Sequence, residues 1–133
     1  MEPRITIITL GVADVARATF FYESIFGWTK SSHSNEHISF FELNDLQLAL
    51  YGKTDLAEDA QVPASGTGFN AFTLAYNTRS EAEVDELIQT MRAKGVKIVK
   101  EPQKVSWGGY SSYLADPDGH LWEIAYNPYL TIK

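Results

Sequence analysis

Asp116-Pro117-Asp118-Gly119-His120-Leu121-Trp122-Glu123-Ile124 is the stretch that decides the fold of this chain. Proline at the second turn position and glycine at the fourth suit a type I turn. An apolar strand follows. Its alternation puts Leu121, Glu123 and Ala125 on one face and Trp122, Ile124 and Tyr126 on the other. A carboxylate inside such a strand is costly unless it faces a cavity, a partner or a metal. Glu123 is therefore the first candidate for a functional residue.

Upstream of the turn, Tyr110–Ala115 reads as the partner strand, preceded by Trp107-Gly108-Gly109. Two glycines let the backbone bulge or approach a ligand closely. Tyr110 and Tyr113 have opposite parity on a regular strand. Pointing both at one face needs a bulge between them. These aromatics either line a binding groove, offering stacking and hydroxyl contacts, or pack at an interface between modules or subunits. Further back, Ser80-Glu81-Ala82-Glu83 forms a capping box. Val84, Leu87, Ile88 and Met91 follow as an apolar helical stripe, and Gly95 stops the helix. Phe69–Tyr76 and Val96–Lys100 read as flanking strands.

The first half repeats this plan. Residues 4–12 are β-branched and strand-like. Asp14 caps a helix over Asp14–Phe26 with Val15, Ala18, Tyr22 and Ile25 inward, and Gly27 ends it. Strands are expected near Trp28–Ser32, Ile38–Leu43 and Leu46–Tyr51. The last two join through Asn44-Asp45 as a two-residue hairpin turn. The result is α+β, with βαβββ twice: module one about 1–51, a connector at 52–68 with a helical turn near Leu56–Ala60, and module two about 69–133. Each module leaves one sheet face bare. Side by side, two modules make a curved mixed sheet with a concave groove for a small molecule.

The 133 residues suit a single domain with a real core. A net charge of −6 argues against nucleic acid and anionic membrane surfaces. No apolar run approaches a membrane span, and no signal peptide is visible. The absence of cysteine removes disulfide and thiolate chemistry and fits a reducing cytoplasm. There is no glycine-rich phosphate loop, serine-nucleophile elbow or dinucleotide fingerprint. His33 and His37 fall in a polar loop, and His120 points away from the Glu123 face.

Val12-x-Asp14, then Phe21-Tyr22 and Phe26-Gly27-Trp28, with the closing Asp116–Glu123 run, resemble the vicinal oxygen chelate superfamily across the whole chain. That superfamily holds glyoxalase I, extradiol dioxygenases, fosfomycin-resistance proteins and bleomycin-binding proteins. The resemblance implies metal ligands on the first and last strand of each module. Glu123 matches the last ligand position. The first-strand position, seven residues before Asp14, is Ile7. The second module offers Ala71 or Thr73 there, and the last strand of module one offers Gln47 or Ala49. Gln47 with Glu123 is the best set, too few for a tight site, so neither metal nor another cofactor is expected. The resemblance also implies a homodimer.

The function that follows is a small-molecule-binding protein without a complete metal site. Its groove is lined by Trp107, Tyr110 or Tyr113, Ile7, Thr9 and Gln47 around Glu123. The alternative is a glyoxalase- or lyase-like enzyme with an altered or metal-free site and Glu123 as base. In a third reading Glu123 is a remnant ligand satisfied by a hydrogen bond inside the protein.

Overall fold

The computed structural model describes residues 1–66 and 68–132; Thr67, inside the expected connector, and Lys133 lie outside the described residues. The chain divides into two compact units, residues 1–68 and 69–133.

In the first unit, β1 (Ile7–Val12) leads into α1 (Val15–Phe20), capped by Asp14, whose Oδ1 accepts the Arg17 backbone N–H at 3.1 Å. The helix widens into a π-helical turn over Phe21–Ile25. That turn buries the consecutive Phe21 and Tyr22, and Gly27 follows at φ 76°. The strands β2 (Ile38–Glu42) and β3 (Gln47–Gly52) complete a sheet ordered β1-β3-β2, with β1 parallel to β3. Asn44-Asp45 makes the expected turn, Asp45 at φ 63° and the Leu43 N–H donating to the Leu46 carbonyl. The strand expected over Trp28–Ser32 shrinks to one bridge, Lys30 to Phe41. The reason is aromatic packing: Trp28 turns onto Tyr22, Phe26 and Phe41, with ring centroids 5.2–6.4 Å apart. The connector carries α2 (Lys53–Ala60), longer than the single turn expected.

The second unit holds β4 (Leu74–Thr78), α3 (Glu81–Ala93), β5 (Lys97–Lys104), β6 (Tyr110–Ala115) and β7 (Leu121–Tyr126), in sheet order β4-β7-β6-β5. This is the βαβββ module read from the sequence. The first strand starts later than Phe69; Ala71 sits at φ 61°, which breaks extended structure before Leu74. Ser80 Oγ accepts the Glu83 N–H at 3.2 Å. The Glu83 carboxylate reaches back to the Arg79 N–H, one residue earlier than a standard capping box. Val84, Ile88 and Met91 bury the helix against the sheet, opposite Leu114, Trp122 and Ile124. The β6–β7 turn is held by Asp116, whose Oδ1 accepts both the Asp118 and His120 N–H groups at 2.9 Å. Among the described residues no helix is long and apolar enough to cross a membrane.

Candidate functional site

In each sheet one face packs on its helix and the other is bare, except where α2 reaches the first sheet at Gly11, a Cβ there meeting Lys53 Cα at 3.3 Å and Leu56 Cδ2 at 3.5 Å. The register fixes which residues share the bare face. In the second unit Glu123 stands opposite Tyr113 on β6 and opposite Ala75 on β4, and Tyr113 stands opposite Lys100 on β5. One row therefore reads Ala75, Glu123, Tyr113, Lys100. The next reads Asn77, Ala125, Ser111, Gln103. Ser111 lies diagonal to Glu123, a spacing that long side chains bridge. Its Oγ donates to Glu123 Oε2 at 2.8 Å. Lys100 places Nζ 5.8 Å from the Tyr113 ring centroid, within cation–π range. Glu123 is half-buried and Ser111 buried.

The choice between the two tyrosines is resolved by parity. Tyr113 shares the Glu123 face. Tyr110 does not: it pairs with Tyr126 on the helix-facing side, and its hydroxyl donates to Asp85 of α3 at 2.7 Å. This bond, with burial and the nearby Asp85 and Glu81 charges, raises the Tyr110 phenol above its ordinary range. Tyr110 is thus removed from the expected groove wall, since no bulge occurs in β6 to turn it round.

Trp107 does join the Glu123 face. Carried back one residue, the alternation of β6 puts the side-chain direction of Gly109 on the side of Ser111 and Tyr113. The Trp107 indole occupies that place; a Cβ at Gly109 would fall within 2.7 Å of three indole carbons. Gly109 is buried beneath a ring that is itself 49% exposed.

In the first unit the bare face carries Ile7, Gln47 and Glu42 in one row and Thr9, Ala49 and Phe40 in the next. Ile7 and Thr9 are exposed, and the Gln47 amide donates to Glu42. Thr9 and Ala75 each lie five residues before their helix cap. Their partners, Ala49 and Glu123, are therefore equivalent. The counterpart of Glu123 is Ala49, one row away from Gln47.

Ser111 and Lys100 escaped sequence reasoning. Counting outward from the turn pairs Tyr113 with Glu123 and makes Ser111 a diagonal neighbour, so that signal was present. Lys100 gave none, because the β5–β6 register shifts on both sides of it.

The model of the Glyoxalase/Bleomycin resistance protein/Dioxygenase superfamily matches residues 4–124. The chain belongs to this superfamily. Among solved structures, a glyoxalase-related enzyme from Fulvimarina pelagi superposes with a TM-score of 0.89 at 35% identity, covering 99% of this chain and 94% of that one. Metallothiol transferase FosB of Lysinibacillus sphaericus is 29% identical over 88% of this chain and 77% of its own length. Fosfomycin resistance protein FosX of Listeria monocytogenes is 30% identical over 88% and 84% respectively.

Metal enzymes of the superfamily need three or more converging donors. The residues beside Glu123 do not supply them in this unit: its row neighbours are Ala75 and Tyr113. In the first unit Ile7 occupies the first-strand position, and Gln47 is bonded to Glu42. Among the described residues no group of three or more His, Cys, Asp or Glu side chains is placed to hold an ion. The donor set does not fit a tight divalent site within either unit.

Proposed function

We propose that this superfamily member binds a small molecule on the bare face of its second sheet, without a complete metal site, and that Glu123 is the polar anchor. The observation that carries the reading is the Ser111–Glu123 hydrogen bond beside the Trp107 indole and the Tyr113 ring. Ser111 engages Oε2, which orients the carboxylate and leaves lone pairs for a ligand donor. Trp107 and Tyr113 add flat apolar surface on either side of Ser111. The net charge of −6 favours a cationic ligand. A planar molecule with a cationic or hydroxyl donor matches this arrangement. Ile7, Thr9 and Gln47 stay with the first unit's own sheet, and the protein works as a homodimer in the cytoplasm.

The second reading is a glyoxalase- or lyase-like enzyme with an altered or metal-free site and Glu123 as base, supported by the likeness to the glyoxalase-related enzyme of Fulvimarina pelagi. Elemental analysis of protein purified without chelators and a glyoxalase assay separate the two. Turnover by metal-free protein, lost on Glu123→Gln, establishes the enzyme reading; one metal per chain, lost on the same change, makes Glu123 a ligand and overturns ours. For binding, benzamidine serves as a planar aryl cation whose amidinium fork matches a carboxylate. Glu123→Gln keeps shape and loses charge. A hydrogen bond to a charged group is worth about 1.5–3 kcal/mol, so a roughly ten- to hundredfold loss of affinity is expected. Unchanged affinity refutes Glu123 as the anchor.

A further inference from the structure

We propose that Gly109 is a positioning residue: the missing side chain at this one position seats the Trp107 indole on the bare sheet face beside Ser111 and Glu123. This rests on the binding reading above and adds what sets the shape of that site.

Three observations converge. Gly109 precedes β6, where alternation aims a side chain at the Glu123 face. Carbons Cη2, Cζ3 and Cζ2 of Trp107 all lie within 2.7 Å of where a Cβ would stand. Real Cβ atoms do not tolerate such contacts, and the obstacle is the rigid ring of a bulky residue. Finally, the turn itself does not demand glycine at 109. The positive φ belongs to Gly108, at 102°, and a Cβ there would meet Tyr129 only at 3.5 Å or more. The Val105–Gly109 turn closes by backbone bonds, the Val105 N–H to the Gly109 carbonyl and the Gly108 N–H to the Val105 carbonyl, both 3.0 Å. Backbone conformation explains the first glycine of the pair. Room for the indole explains the second.

The chemical consequence is a site floored by an aromatic ring. Two strand positions separate Gly109 from Ser111, about 7 Å at the usual rise. A ring stacked on the seated indole therefore lies within one small molecule's length of the Glu123 carboxylate. Any larger residue at 109 turns Trp107 out and removes the floor while leaving Glu123 and Ser111 in place.

The test uses full-length protein labelled with 5-fluorotryptophan, which gives one 19F resonance each for Trp28, Trp107 and Trp122; Trp107→Phe assigns the middle one. Gly109→Ala is expected to move the Trp107 resonance toward that of free 5-fluorotryptophan while those of Trp28 and Trp122 hold. Benzamidine affinity should fall about two- to tenfold, the range of one aromatic contact. In a Trp107→Ala background the same Gly109→Ala change should cost nothing further. If Gly109→Ala alone fails to fold and Trp107→Ala/Gly109→Ala folds, the steric seat is confirmed by rescue. An unmoved Trp107 resonance overturns the proposal, as does an equal affinity loss in both backgrounds. If wild-type protein ignores benzamidine, the binding reading fails on its own, and the 19F shift still decides the role of Gly109.

Discussion

Ser111→Ala isolates the polar half of the site. The substitution keeps Cβ and removes the Oγ that donates to Glu123 at 2.8 Å. Ser111 is only 3% exposed, so water replaces the lost donor poorly on its side. Hydrogen bonds to charged groups contribute about 1.5–3 kcal/mol. Glu123 is half-exposed and recovers part of that by hydration. The expected net cost is about 1–1.5 kcal/mol. With an m of about 1.5–2 kcal/mol/M, urea unfolding at neutral pH should show a midpoint lowered by roughly 0.5–1 M. The charge dependence is then read from a double-mutant cycle. Against Glu123→Gln, whose amide oxygen accepts only a neutral bond, the cost of Ser111→Ala should shrink to about 0.5–1 kcal/mol. If the cost is the same or larger in that background, Ser111 acts through its burial, and the carboxylate is not oriented by it.

Tyr110→Phe should remove a tyrosine that ionises above the ordinary phenol range in a spectrophotometric titration. The Tyr110 phenol is raised by its bond to Asp85. Its contribution to stability is present below the unfolded phenol value near pH 10 and lost as pH rises through the folded one; equal alkaline stability of wild type and variant refutes this. Ser80→Ala removes the acceptor of the Glu83 N–H and should cost about 1 kcal/mol in thermal or urea unfolding. Phe41→Ala empties a fully buried ring site against Tyr22 and Trp28. It should cost about 3–5 kcal/mol, far more than any change on the bare faces. Light scattering should give a dimer mass; a monomer mass at all concentrations removes the homodimer.

The elements set by local chemistry were readable. Asp14 and Ser80 cap helices where their side chains predict, and Gly27 and Gly95 end them with φ near 80°. The Asp116 turn announced both strands that follow and precede it. What failed to show locally depends on partners distant in sequence. Trp28 reads as the start of a strand until Tyr22, Phe26 and Phe41 are seen to capture it. Gln47 looked like the match for Glu123 because it is polar, whereas pairing across the sheet assigns that place to Ala49. The Gly-Gly pair suggested a bulge near Tyr110. The irregularity lies instead in β5, where it hides the approach of Lys100 to Tyr113.

The Asp116 carboxylate has a role larger than its size. By gripping the N–H groups of Asp118 and His120 it fixes the length of the loop to one value. Side chains alternate along β7, so a loop one residue longer or shorter would exchange the places of Glu123 and Trp122. An indole would then stand in the open and a charge would be pressed against α3. The chemistry of the protein and the integrity of its interior are thereby tied to the same five residues. An insertion of the kind most surface loops tolerate would here cost the hydrogen bonds of Asp116 or the facing of Glu123, so change on this face comes more readily by substitution.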